Sequence, residues 1–387
     1  MAAGIVLART AGPTGTGFMN LALTVATFTA TLLAAGTGLA LRFLSAGTPD
    51  PGRVGTYLFY SLVLVPIAGA LTVPSVLVVT SEGLTVGVGM AVAALGGANL
   101  VSKQLQELAQ AHGDVIRSIR SVGVGTLTRI ILLVIAAALW TDNLAAVAWA
   151  FVIGVAVQGI YASWPFSPGR HLATGVRRHA EDTKRDVSEM LRIGRPSLGY
   201  SLGMMGLQRT DRVVIASLLG PTALGFYAVA ATLSEIMRVA TAPLGQLVFV
   251  RVTKDRKISE ATRQIILIGL GGQVTVGALL WVAAPHLITV FYTDAFAESI
   301  PLVRGLIVAE VFMGLVLMES RAVLGMGAMR RMGRDTVLLV AFAVPVYLVL
   351  IWAYDLMGAI AASVITYALY AAITHLALRH SLRGTPS

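Results

Sequence analysis

Apolar stretches of 18 or more residues recur along this chain from end to end, and that recurrence decides most of what it can fold into. Each is long enough to cross roughly 30 Å of hydrocarbon as a helix. Only 12% of the 387 residues are charged and 56% are hydrophobic, where a soluble domain usually carries about 25% charged residues. The chain therefore reads as an all-α polytopic membrane protein with almost nothing outside the bilayer. Its longest hydrophilic segment, Ser167–Arg192, is too short for a catalytic domain.

Hydropathy and chain breakers place a stub at Met1–Ala8. Full spans follow at Phe18–Leu41, Gly55–Val79, Leu84–Val101, Ser121–Trp140, Leu144–Trp164 and Ile193–Leu219. The remainder are Gly225–Val250, Gln264–Ala284, Ser299–Ser320, Thr336–Ala353 and Met357–Ala377, which makes eleven full spans and the stub. If the stub runs outward, twenty-three of the 29 Lys and Arg residues fall on one face and Arg9 alone on the other. Arg129, Arg209, Arg212, Arg238 and Arg304 lie inside spans. Positive residues mark the cytoplasmic side, so the C-terminus is expected in the cytoplasm. The net charge of +10 is then a topology signal and not a nucleic-acid footprint.

The chain repeats itself. "GPTGTGF" at 12–18 returns as "GPTALGF" at 220–226. At an offset of 208 residues, Val6, Ala8, Gly12, Pro13, Thr14, Gly17, Phe18, Ala22 and Thr24 match Val214, Ala216, Gly220, Pro221, Thr222, Gly225, Phe226, Ala230 and Thr232. Each copy carries six helical segments, so both have the same orientation. Parallel repeats of this kind make two six-helix bundles related by a pseudo-two-fold axis, with the path for cargo between them. The expected organisation is an N-terminal bundle at 1–165, a cytoplasmic linker at 166–192, a C-terminal bundle at 193–378 and a cytoplasmic tail at 379–387. The first copy has eleven residues before its turn where the second has 27. About eight apolar residues cover only about 12 Å of bilayer, which would hold the Met1 amine near mid-membrane. The first helix is thus truncated, and the native chain is expected to begin upstream.

Two segments carry a family resemblance. "GLQRTDRVVIASLLGPTALGFYAVAATLSEI" at 206–236 resembles the seventh-to-eighth helix segment of Wzx-like polysaccharide biosynthesis and export flippases. Residues 5–45 resemble their first-to-second helix segment. That family belongs to the multidrug/oligosaccharidyl-lipid/polysaccharide (MOP) exporter superfamily, whose MATE-like fold has two six-helix bundles. The resemblance implies an inner-membrane flippase that moves undecaprenyl-pyrophosphate-type lipid-linked oligosaccharide by alternating access. It also implies surrounding membrane lipid and a polysaccharide polymerase or export machinery as partners.

Ionisable groups inside spans are costly and need a partner or a polar cavity. The richest set lies on the hairpin around the second GPT turn: Arg209, Asp211, Arg212, Glu235 and Arg238. Counted from the turn they lie roughly 12–20 Å deep, near mid-bilayer. Arginine makes two parallel charge-assisted bonds to phosphate, which suits a pyrophosphate headgroup. The alternative is a self-contained network that glues the hairpin together. Three Arg against two acids leaves one cation over, which points toward a ligand. Glu310, a lone acid in its span, is a candidate for proton or sodium coupling; the alternative is pairing with Arg304 or with another helix. Arg42 closes the first full span at the cytoplasmic entrance, where topology alone also explains a cation.

No cysteine is present, the six histidines lack ligand spacing, and no P-loop, GxGxxG or Ser/His/Asp arrangement occurs. The expected chemistry is transport and not catalysis, without cofactor, metal or nucleic acid. A MATE-like drug or metabolite antiporter is the first alternative; a membrane-bound glycan ligase or polymerase is the second, disfavoured because the longest outside loop is only about Pro285–Glu298. In the linker, Arg177–Glu181, Arg178–Asp182 and Glu181–Arg185 at i, i+4 read as a solvated or membrane-surface helix.

Overall fold

The computed structural model describes residues 2–45, 50–80, 85–139, 143–176, 180–255 and 257–383. Met1, Arg177, Arg178 and Arg256, which entered the topology and linker readings above, lie outside the described residues. Twelve helices follow in order: α1 (Ala2–Ala34), α2 (Thr37–Ser45), α3 (Pro51–Thr80), α4 (Val86–Ala111), α5 (Val115–Leu139), α6 (Leu144–Ser163), α7 (Pro168–Val176), α8 (Ala180–Ser234), α9 (Arg238–Asp255), α10 (Glu260–Leu287), α11 (Ser299–Gly325) and α12 (Met329–Arg383). Among the described residues, nine helices are long and apolar enough to cross a membrane.

Three of those helices are broken from within, and the breaks explain the repeated turn. Gly12 in α1 has φ 60° and ψ −171°, and Gly220 in α8 has φ 84° and ψ 177°. That combination is open essentially to glycine alone. Pro13 and Pro221 follow at once, with φ already set for a new helix. Both glycines have open space where a Cβ would stand, so the requirement is conformational and not steric. The third break, at Tyr354 and Asp355 in α12, uses φ 50° at Asp355. Before Gly12, the helix runs from Ala2.

The chain forms two compact units, Ala2–Leu202 and Gly203 onward. In the first, α4 packs against α1, α3 and α6. Small residues allow that approach. A Cβ on Gly96 would stand 2.8 Å from the Ala68 carbonyl oxygen, and one on Gly97 would stand 2.8 Å from Val65. Gly125 of α5 and Gly154 of α6 meet in the same way. In the second unit α11 is the core helix, packed by α9, α10 and α12. Phe296 is fully buried with Tyr292 and Phe226 beside it, so the expected outside loop at 285–298 is mostly a helical extension with a packed core.

Two expectations need correction. The span Leu84–Val101 continues as helix to Ala111, because "SKQLQELAQA" (102–111) places Ser102, Gln104, Leu108 and Ala109 in the interior. Lys103 is therefore not a loop charge: its Nζ donates to Thr31 Oγ1 at 2.8 Å. The linker helix is also not free. Its outer face, Glu181, Asp182 and Arg185, is exposed. Its inner face carries Asp186, Glu189 and Met190 onto the first unit. Arg53 of α3 meets Glu189 at 3.2 Å and Asp186 at 3.9 Å. Met190 is fully buried against Tyr57, Leu108 and their neighbours. Gly194 then approaches the backbone of Gly36 so closely that a Cβ there would lie 2.6 Å from its carbonyl carbon.

Candidate functional site

The break at Gly220 folds α8 back on itself, which lays its two arms side by side. On the first arm stand Gln208, Arg209, Asp211 and Arg212; on the second, Tyr227 and, past a short 3-10 turn at Glu235–Met237, Arg238. Arg212 and Glu235 meet across the hairpin at 2.8 Å, with the Arg212 side chain only 5% exposed. Arg238 lies 3.8 Å from the same Glu235 oxygen. Its Nε and Nη2 also donate to the two oxygens of Glu310 on α11, at 2.7 and 2.6 Å. This fork-on-carboxylate geometry is the strongest ion-pair arrangement available to a guanidinium.

Two neutral groups complete the cluster. Gln208 Oε1 accepts from Arg238 Nη1 at 3.4 Å. Fully buried Gln273 of α10 donates its amide to the Glu310 main-chain oxygen. Gly314 makes room for it, since any Cβ at that position would strike the Gln273 amide.

Asp211 faces the other way, into α12. Its carboxylate accepts from the Tyr227 hydroxyl at 2.7 Å and from the Arg212 main-chain N–H at 2.7 Å. Tyr227 continues to Ser363 at 3.3 Å, and Ser363 to Tyr347 at 3.0 Å. Every member of that chain is buried, so each polar group is matched as a low-dielectric interior demands.

The five residues selected from the hairpin thus lie in one region, and Glu310 joins them. Its partner is Arg238, not Arg304, whose guanidinium sits 5.9 Å from the Trp281 ring centroid. Counting Glu310 gives three Arg and three acids, so the surplus cation inferred from the hairpin alone disappears as a formal charge. It survives as geometry. Arg212 and Arg238 are committed to carboxylates at bonding distance, whereas the half-buried Arg209 side chain interacts with Asp211 at longer range and has no ion pair within 4.0 Å among the described residues.

Arg42 is placed differently, in the first unit. Its Nε lies 2.9 Å from Glu107, and Nη1 donates to Gln110 Oε1 at 2.6 Å. Gln110 reaches Ser118 of α5 at 2.9 Å, so Arg42 ties α2 to α4 and α5. Glu107 and Gln110 lie on the unforeseen extension of α4. The i, i+3 to i, i+4 spacing of Lys103, Glu107 and Gln110 was the available signal.

No curated protein matches the chain. It is similar over all of its length to the inward-facing conformation of a multidrug resistance MATE family transporter of the MOP superfamily, with TM-score 0.80, 18% identity and 95% of that chain covered. The lipid II flippase MurJ, in an inward closed conformation, matches 99% of this chain and 85% of its own with TM-score 0.74 and 10% identity. A MOP superfamily transporter from Pyrococcus furiosus matches 99% of this chain and 92% of its own with TM-score 0.58 and 17% identity. These likenesses show the fold. Residues 3–250 match the family described as polysaccharide biosynthesis protein. The chain therefore belongs to the polysaccharide biosynthesis protein family, as a multi-pass membrane protein with the fold of MOP-superfamily transporters.

Proposed function

We propose that this protein is a flippase that moves a lipid-linked oligosaccharide of the undecaprenyl-pyrophosphate type across the bacterial inner membrane by alternating access. Delivery would be to a polysaccharide polymerase or export machinery, with the C-terminus in the cytoplasm. The observation that carries this reading is the family match over residues 3–250 in a chain built of apolar membrane-length helices. The lipid II flippase fold supports it. In the proposal Arg209 contacts the pyrophosphate, because Arg212 and Arg238 already hold carboxylates. Asp211, Glu235 and Arg238 shape the polar lining around it, and Arg42 stands at the cytoplasmic entrance.

The test is a deletion strain assayed for which leaflet holds the lipid-linked oligosaccharide. Build-up on the cytoplasmic side, reversed by the wild-type gene and not by an Arg209→Ala variant that reaches the membrane, is the expected result. Normal glycan export without build-up would reject the flippase reading. It would favour a MATE-like antiporter, the reading closest to the 0.80 structural match. There Glu310 or Asp211 would couple to a proton or sodium ion, and transport would follow that ion's gradient.

A further inference from the structure

A cavity of about 630 Å³ opens in the first unit between α3, α4, the end of α6 and α7. All of its lining residues belong to that unit. Leu58, Leu62, Leu105, Ile160, Trp164 and Leu172 supply most of its wall. Four polar residues also line it; Ser61, Gln104 and Ser163 are bonded within the protein, and Ser167 is exposed. Ser61 Oγ donates to the Tyr57 carbonyl at 2.8 Å, and Ser163 Oγ to that of Gly159 at 3.1 Å. The Gln104 amide accepts from the Tyr57 hydroxyl and donates to Thr37 Oγ1 at 3.3 Å. Water needs two to four polar partners to be held in a cavity, and most of this wall is hydrocarbon. The mouth is edged by the exposed side chains of Leu62, Ile160 and Trp164.

The end of the unit at which the cavity lies is basic. Arg170 is exposed one residue beyond Gly169, which lines the cavity. Arg117 lies over the Tyr161 ring, 4.9 Å from its centroid, beside the lining residue Ile160. Four acids of the unit are engaged, Glu107 with Arg42, Asp186 and Glu189 with Arg53, and Asp114 with the Arg117 main-chain N–H, while Glu181 and Asp182 are exposed at the start of α8. Trp164, 74% exposed, has the amphipathic character that settles at headgroup level. Basic pockets between helices on the cytoplasmic side are suited to anionic lipid headgroups.

We propose that this cavity holds one acyl chain of an anionic glycerophospholipid from the surrounding bilayer, with the phosphate of its headgroup at Arg170 and Arg117. A bulk lipid is favoured over a scarce lipid-linked intermediate by mass action. The inference does not depend on the flippase reading.

Native mass spectrometry of the purified protein, titrated with phosphatidylglycerol or phosphatidylcholine, tests it. Wild type should retain phosphatidylglycerol about tenfold better than phosphatidylcholine. Leu62→Trp should narrow the cavity, since Leu62 lines it and its half-exposed side chain leaves room for the larger ring. It should cut phosphatidylglycerol occupancy about tenfold with an unchanged melting temperature. Arg170→Gln, on an exposed residue, should keep chain binding and lose most of the headgroup preference. Equal retention of the two lipids by wild type, or undiminished binding in both variants, would overturn the proposal. Recovery of only a polyprenyl phosphate from native membranes would reassign the cavity to the transported lipid.

Discussion

The Arg238–Glu310 pair offers a direct test of how the second unit is held together. Both donors of Arg238 reach Glu310, at 2.6 and 2.7 Å, and the Glu310 side chain is 5% exposed. Arg238→Ala would leave that carboxylate with only the Gln273 amide on its main chain nearby. Breaking a buried pair by removing one partner costs about 3–5 kcal/mol, because the stranded charge has lost both water and its counter-ion. Glu310→Gln should cost less, about 1.5–3 kcal/mol, since Arg238 keeps a neutral acceptor and remains near Glu235 at 3.8 Å. The double variant Arg238→Met/Glu310→Leu removes both charges together and should recover most of the loss. Reversible unfolding in mixed detergent micelles, arranged as a double-mutant cycle, should give a coupling energy of at least about 2 kcal/mol. A cost below about 1 kcal/mol for Arg238→Ala would refute the reasoning, since that is the behaviour of a solvated surface pair.

Arg209→Ala should abolish lipid-linked oligosaccharide transport while leaving abundance and unfolding almost unchanged. Arg212→Ala leaves Glu235, 27% exposed, near Arg238 at 3.8 Å and should lower stability by about 1–3 kcal/mol, visible as lost protein in membrane blots. Tyr227→Phe removes the donor to Asp211 and should cost about 1.5–3 kcal/mol in the same unfolding assay. The two glycine types should fail differently. Gly194→Ala meets the Gly36 backbone and should cost about 1–3 kcal/mol by overpacking. Gly220→Ala meets nothing, so its cost of about 1–3 kcal/mol is backbone strain, and Gly220→Asn should cost as much, because asparagine tolerates the left-handed helical region and not φ 84° with ψ 177°.

Much of the architecture was legible in one dimension. A membrane helix satisfies its own backbone, so apolar length alone announces it. The repeated Gly-Pro-Thr was legible for a related reason: the backbone angles at Gly12 and Gly220 exclude a Cβ, so the turn had to be written twice in the same letters. The end of α4 was not legible. Lys103 and Glu107 look like loop charges until Thr31 and Arg42 are found beside them. Asp186 and Glu189 likewise look solvated until Arg53, more than 130 residues earlier, is seen to hold them.

The charged cluster divides in the same way. Arg209, Asp211, Arg212, Glu235 and Arg238 were reachable from the sequence because one turn sets their common depth. Glu310 was not assignable, because helix depth says nothing about which neighbour a face meets. Its choice of Arg238 over Arg304 follows from how α11 packs on α9, and it turns an apparent surplus of charge into a balanced set. Hydropathy, positive-charge asymmetry and the internal repeat are local properties, additive along the chain, and so the sequence determines them alone. Pairing within the cluster and the apolar cavity beside α7 depend on side chains brought together from distant helices, and tertiary packing decides them.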